Sequence, residues 1–241
     1  MRFVRGRWKQ LASLPLWSLL GATCVAWGTS ASRVQAQSWK SDATHVGTTA
    51  RVLIVGARPE DEDNALIAWL SLGRHVETAY LSLTRGESGE NVSGGELGAP
   101  LAVVRTAELL EERRRDRARQ FFTRAYDFGF TEEDSVVDRA WPNDSLLRDV
   151  VSVVRAFRPH VVISLIDTTG VEDAAHRRAA RLAWQAYTMA GDSARLAPAA
   201  TGRLPVWSLS RLLTRISPGR STLAPLVVLN VGEFDRATGR S

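Results

Sequence analysis

Apolar and polar positions along this chain alternate in blocks that predict strands and helices in turn. Arg51-Val52-Leu53-Ile54-Val55-Gly56 is a short β-branched run ending in glycine, the pattern of a strand buried on both faces. Pro59 and four acidic residues, Glu60 to Asp63, then open a helical stretch through Leu70, with carboxylates in the first turn where the helix dipole favours them. His75 to Leu83 reads as a second strand. Thr84 to Pro100 is a loop carrying five glycines, long enough to suggest a functional role. Leu101 to Gln120 is a charged amphipathic helix and Phe121 to Asp127 a third strand. Leu146 to Phe157 is helical by period, Arg158-Pro159 breaks it, and His160 to Ile166 is a fourth buried strand. Asp173 to Ala190 forms another helix closed by Gly191. Val206 to Ile216 and Leu226 to Val231 read as late strands.

Strands alternating with helices predict an α/β, Rossmann-like three-layer fold with a mostly parallel sheet. Ligands of such sheets sit beyond the carboxyl ends of the strands. The segments 56–63, 84–100 and 167–176 are therefore expected to converge.

The first 36 residues have a different pattern. Arg2, Arg5, Arg7 and Lys9 precede a mostly apolar stretch from Leu11 to Ala31, and Val34-Gln35-Ala36 has the small residues a signal peptidase requires. This predicts a secretory signal over 1–36, a linker over 37–50 and a folded domain over 51–241. The rival reading is an uncleaved anchor. Pro15, Gly21 and Gly28 favour the cleaved signal, with a periplasmic or extracellular product and no stable membrane insertion of what remains. Gly21-Ala22-Thr23 before Cys24 is a poor lipoprotein site.

Removing the signal changes the charge. The chain carries 31 Lys+Arg against 26 Asp+Glu. Arg2, Arg5, Arg7, Lys9 and Arg33 lie in the signal, leaving 26 of each in the remainder. That balance gives no support for nucleic-acid binding, and no nucleic-acid partner is expected. Cys24 is the only cysteine, so the exported chain has no disulfide and no thiolate metal site, and a metal could be held only by His and carboxylates.

Three segments could carry chemistry. Ala57-Arg58-Pro59-Glu60-Asp61-Glu62 is either a solvated helix start or part of a site. It is no dinucleotide turn, because Gly56 lacks the surrounding glycines. His176 is either a cap near a helix start or a ligand, and its neighbours Glu172 and Asp173 would complete a His-and-carboxylate set of hydrolytic-zinc type. His45, His75 and His160 read as structural or exposed. Thr84-Arg85-Gly86-Glu87-Ser88-Gly89-Glu90-Asn91 is either a flexible loop or a polar wall in which Arg85 and Asn91 donate hydrogen bonds to a hydroxyl-rich ligand.

The segment Ala57 to Glu62 resembles the A-H-P-D-D-E signature of the PIG-L/LmbE-like N-deacetylase family. Leu83 to Asn91 resembles that family's L-T-R-G-E-x-G-x-N loop. Arg105-Thr106-Ala107-Glu108-Leu109-Leu110, Phe122 to Phe130, Arg158-Pro159 with Val161-Val162-Ile163, and Asn230 to Asp235 resemble segments of its exported bacterial branch. The resemblance runs in order from 51 to 241, and family members continue past the position of Ser241, which implies a domain incomplete at its C-terminus.

The resemblance implies a zinc-dependent hydrolase of N-acetylated sugars or related amides. Asp61 and His176 match metal ligands, and Glu60 stands where the general-base Asp is expected. Arg85 and Asn91 fall in the substrate loop. Two positions depart from the pattern: Arg58 replaces the first metal-binding His, and Asp173 replaces the auxiliary His. A guanidinium has no lone pair to give a metal. The expectation is a deacetylase-type domain of impaired activity, with Zn2+ implied by the family but opposed by Arg58. The alternative is a non-catalytic carbohydrate-binding relative in which an Arg58–carboxylate cluster fills the metal position.

Overall fold

The alternation in Arg51–Gly56 sends Leu53 and Val55 to one face of a sheet and Val52 and Ile54 to the other, and all four are buried. A fully buried aliphatic side chain of this kind stabilises the fold by roughly 2 kcal/mol. In the computed structural model this segment is strand β1, and the structure describes residues 48–89, 91, 94–166, 173–216 and 227–232. The predicted signal and most of the predicted linker lie outside the described residues, as does Glu172. Among the described residues, no helix is long and apolar enough to cross a membrane.

Four further strands pair with β1 into a five-stranded sheet: β2 (Glu77–Ser82), β3 (Arg119–Phe122), β4 (Val161–Ser164) and β5 (Arg211–Thr214). Their order is β3-β2-β1-β4-β5, and every pair is parallel. The chain moves outward from β1 to β3 on one side, then crosses back to place β4 on the other. The strand order therefore reverses between β1 and β4, where an open crevice is expected at the carboxyl ends.

Helices cover both faces. On one side, α1 (Asn64–Ala68) continues into a π-turn over Trp69–Gly73, and Leu66, Ile67 and Leu70 pack on Ile54, Tyr80 and Ile163. Asp63 caps α1 by accepting from the Leu66 N–H at 3.0 Å. The other side holds α3 (Asp134–Ala140), α4 (Asn143–Phe157) and α5 (Ala174–Met189). Leu146, Leu147, Val150, Val151, Val154 and Phe157 form one buried stripe of α4 at helical spacing. The face α5 buries is mostly alanine, at 174, 175, 179, 180, 183 and 186, so its backbone packs close to the sheet.

A long helix, α2 (Ala99–Asp116), precedes β3. Here the structure corrects the sequence reading, which runs the helix to Gln120 and starts the strand at Phe121. Arg117 turns left-handed at φ 63°, Asp116 Oδ1 accepts from the Ala118 N–H at 2.8 Å, and Arg119–Phe122 pair with Ala79–Ser82. No glycine or proline marks that break. Helix α3 is missed by the pattern, and Leu226–Val231 is over-read as a strand: residues 227–231 form none, and Leu226 is outside the described residues.

Candidate functional site

Residues 57–61 leave β1 through a tight turn. Glycine is required at 56 because a Cβ there would collide with the Tyr80 hydroxyl and crowd the Asp61 side chain. Asp61 folds back, and its Oδ2 accepts from the N–H groups of Ala57 (2.7 Å) and Arg58 (2.8 Å). Tyr80, fully buried on β2, donates its hydroxyl to the Arg58 carbonyl at 2.6 Å. These contacts hold residue 58 by its backbone from both sides.

The Arg58 side chain lies inside the protein, 11 % exposed, between two buried carboxylates. Its Nε donates to Asp127 Oδ1 at 3.2 Å, its Nη1 lies 2.7 Å from Asp173 Oδ2, and its Nη2 donates to the Gly129 carbonyl at 2.9 Å. Asp127 follows β3 and Asp173 caps α5, accepting from the Ala175 N–H at 3.0 Å. His176 stands one turn into α5. Its Nε2 meets Asp61 Oδ1 at 2.8 Å and its Nδ1 faces Asp173 Oδ2 at 3.1 Å.

Nε2 is hydrogen-bonded to Asp61, Nδ1 stands at ion-pair distance from Asp173, and two carboxylates beside the ring favour its protonated form. Burial alone would lower its pKa. The hydrogen bonds to Asp173 and Asp61, and the attraction of both charges, outweigh burial and raise it to about 9. For Asp173, burial pushes upward, but the His176 hydrogen bond and the Arg58 charge hold it below the usual carboxylate range. The Arg58 guanidinium is desolvated, yet Asp127 and Asp173 raise its pKa further.

Of the predicted site residues, Arg58, Asp61, Asp173 and His176 come together here. Glu60 is exposed and lines a cleft of about 170 Å³ with Pro59, Glu62, Asn64, Arg105 and Glu108, between this turn and α2. Crowding by protein pushes its carboxyl upward, with Asp61 and Asp127 adding to the effect. In the same cleft, burial pushes the Glu62 carboxyl above the usual range, against the pull of Arg113 at 2.8 Å. Arg85 is turned elsewhere: its guanidinium lies 4.1 Å from the Phe122 ring centroid and donates to Thr106 Oγ1 at 3.2 Å. Asn91 bonds within its own loop, donating to Glu96 Oε2 at 2.9 Å and accepting from the Gly94 N–H.

Two site residues carry no role in the sequence reading. Asp127 holds Arg58. Glu87 Oε2 accepts from the N–H groups of both Arg85 and Asp127, at 3.2 and 3.0 Å, and so ties the glycine-rich loop to the segment after β3. Both lie in the matched segments, but nothing in their spacing marks them as partners.

A family model described as GlcNAc-PI de-N-acetylase, PIG-L, matches residues 53–187, more than half of the chain. The chain belongs to the PIG-L family. Among solved structures it is similar to the conserved protein TT1542 from Thermus thermophilus, at 24 % identity and TM-score 0.51, over 75 % of this chain and 71 % of that one. It is also similar to N,N'-diacetylchitobiose deacetylase from Pyrococcus horikoshii, at 20 % identity and TM-score 0.52, over 67 % of this chain and 58 % of that one. Both likenesses are of fold. No curated protein matches the chain.

The residues of this PIG-L domain do not fit the zinc that the resemblance implies. Arg58 offers no lone pair, and its guanidinium is tied to Asp127 and Asp173. Tetrahedral ligands around zinc stand about 3.3 Å apart, whereas Asp61 and His176 are in direct hydrogen-bond contact at 2.8 Å. Both Asp173 oxygens face donors. Among the described residues, no group of three or more His, Cys, Asp or Glu side chains is arranged to hold a metal.

Proposed function

We propose that this PIG-L-family chain is an N-deacetylase-type domain for N-acetylated sugars or related amides in which hydrolysis is impaired. One observation carries the reading: the side chain at residue 58, where a nitrogen donor is expected, is a cation tied to two buried carboxylates.

Amide hydrolysis needs a group that polarises the carbonyl, a base that takes a proton from water, and positive charge for the developing oxyanion. Glu60 can accept a proton, but its carboxylate lines the cleft beside α2 and not the Arg58–His176 cluster. The first and third are compromised. Arg58 supplies positive charge, but Asp127 and Asp173 already neutralise it. Losing one preorganised oxyanion donor costs roughly 10²–10³-fold in rate.

The test is acetate release from N,N'-diacetylchitobiose by the purified chain, with and without added zinc. The proposal expects release no faster than the buffer blank in either case. Zinc-stimulated turnover would overturn it. The double substitution Arg58→His with Glu60→Asp is expected to raise zinc-dependent release above that of the parent.

The second reading is a non-catalytic carbohydrate-binding relative. It is favoured by the closure of the cluster, in which the Arg58 backbone N–H and carbonyl and all three guanidinium nitrogens have protein partners. Calorimetric binding of the same disaccharide without acetate release would favour it over a merely slow enzyme. Both readings place the domain at 51–241 behind an export signal over 1–36 and a linker over 37–50.

A further inference from the structure

We infer that Arg58 is a built-in structural cation that locks three segments of the site together, so that the centre of this domain closes on its own guanidinium and not on an external ion. The segments are the turn after β1, the stretch 127–129 after β3, and the start of α5 at Asp173. They are joined through one side chain. The inference concerns what the cation does for the fold and is independent of whether the site turns over an amide.

Asp127 is 2 % exposed and Asp173 is 5 % exposed. Two carboxylates this deep need a positive charge close by, because desolvated charge without a partner is costly. A planar guanidinium meets the need in three directions at once: Nε toward Asp127, Nη1 toward Asp173, Nη2 toward the Gly129 carbonyl. The Gly129 carbonyl matters, since it fixes the in-plane rotation of the fork. Gly129 itself has φ 95°, a backbone conformation that a side-chain-bearing residue rarely adopts.

The backbone of residue 58 is held as well, by Asp61 and Tyr80. An arginine kept for catching a substrate anion would leave its outer nitrogens facing solvent. Here both outer nitrogens are committed to protein oxygens. His176 extends the lock, because its two nitrogens join Asp173 to Asp61 and so connect the Arg58 pair back to the turn from which Arg58 itself comes. The result is a closed circuit of contacts from Arg58 through Asp173, His176 and Asp61 back to the Arg58 backbone.

Thermal melts of the full chain, followed by far-UV circular dichroism with excess EDTA or added zinc, test this directly. The parent is expected to melt at one temperature under all conditions. Arg58→Gln leaves two buried carboxylates without their cation and is expected to lower Tm by on the order of 10 °C. Arg58→Lys keeps the charge but cannot form the three-way fork, and is expected to recover less than half of that loss. Should Arg58→Gln fail to fold, Arg58→Gln with Asp127→Asn and Asp173→Asn, which removes the unpaired charges, is expected to restore a cooperative melt. A parent Tm that falls in EDTA or rises with zinc would overturn the inference. So would an Arg58→Gln variant that melts with the parent, or a triple variant no more stable than Arg58→Gln alone.

Discussion

Arg58 Nε and Asp127 Oδ1 meet at 3.2 Å across 69 residues of sequence, beyond the carboxyl ends of β1 and β3. The first residue leaves β1 and the second leaves β3, so their pairing bridges the carboxyl ends of strands that are not neighbours. Asp127 also takes the Gly129 N–H at 3.1 Å and sends its own N–H to Glu87. It is therefore the joint between the cation and the glycine-rich loop.

Replacing Asp127 with Asn keeps the shape but withdraws one of the two charges that hold the guanidinium. Asp173 still pairs with Arg58, so the loss is smaller than for an isolated buried pair. Asp127→Asn is expected to cost about 2 kcal/mol in urea unfolding. In the Arg58→Gln background, where no cation remains to be held, the same change is expected to cost nothing or to stabilise.

The His176 imidazolium makes stability depend on pH. Its folded pKa is about 9 against an ordinary 6.5, so the folded state binds the proton more tightly than the unfolded one. The contribution is fully present below about pH 6.5 and is lost as pH rises through about 9. It amounts to on the order of 2 kcal/mol, with allowance for the partial exposure of the ring. Melts between those limits should show stability falling with pH, and His176→Gln should flatten that part of the curve.

Tyr80 and Gly56 set the position of the Arg58 backbone. Tyr80→Phe removes the donor to the Arg58 carbonyl in a fully buried place and is expected to cost about 1–2 kcal/mol. Gly56→Ala forces a methyl against the Tyr80 hydroxyl and the Asp61 side chain, and about 1–3 kcal/mol is expected there. Denaturant unfolding measures both. Equal destabilisation by Tyr80→Phe in the parent and in Arg58→Gln would show that the hydrogen bond acts on the turn and not on the guanidinium.

Away from the site, Arg155 is fully buried on α4 and its partners are neutral oxygens: the carbonyls of Ala190 and Leu196 and the Thr201 hydroxyl, at 3.0, 2.7 and 2.8 Å. It ties α4 to the C-terminal end of α5 and the turn beyond. Arg155→Met should strand those acceptors and cost about 2–4 kcal/mol, read as a lower urea midpoint with an unchanged m-value.

The sequence by itself determined the parallel α/β scaffold, because period-2 and period-3.6 patterns of burial are local. Leu53 and Val55 against Val52 and Ile54, or the stripe Leu146 to Phe157, declare their faces within a few residues. It also determined the chemistry that residue 58 lacks, since a guanidinium cannot become an electron-pair donor in any fold. It did not show where α2 stops, because Arg117 takes a left-handed turn within an uninterrupted polar run and pairing with β2 decides where β3 begins. Nor did it show what Arg58 does instead. Asp127, Gly129 and Asp173 lie 69 to 115 positions from Arg58 in sequence, and only the packing of the segments after β1, β3 and β4 brings their oxygens within about 3 Å of its guanidinium. Charge pairing acts through space, and the sheet sets that space.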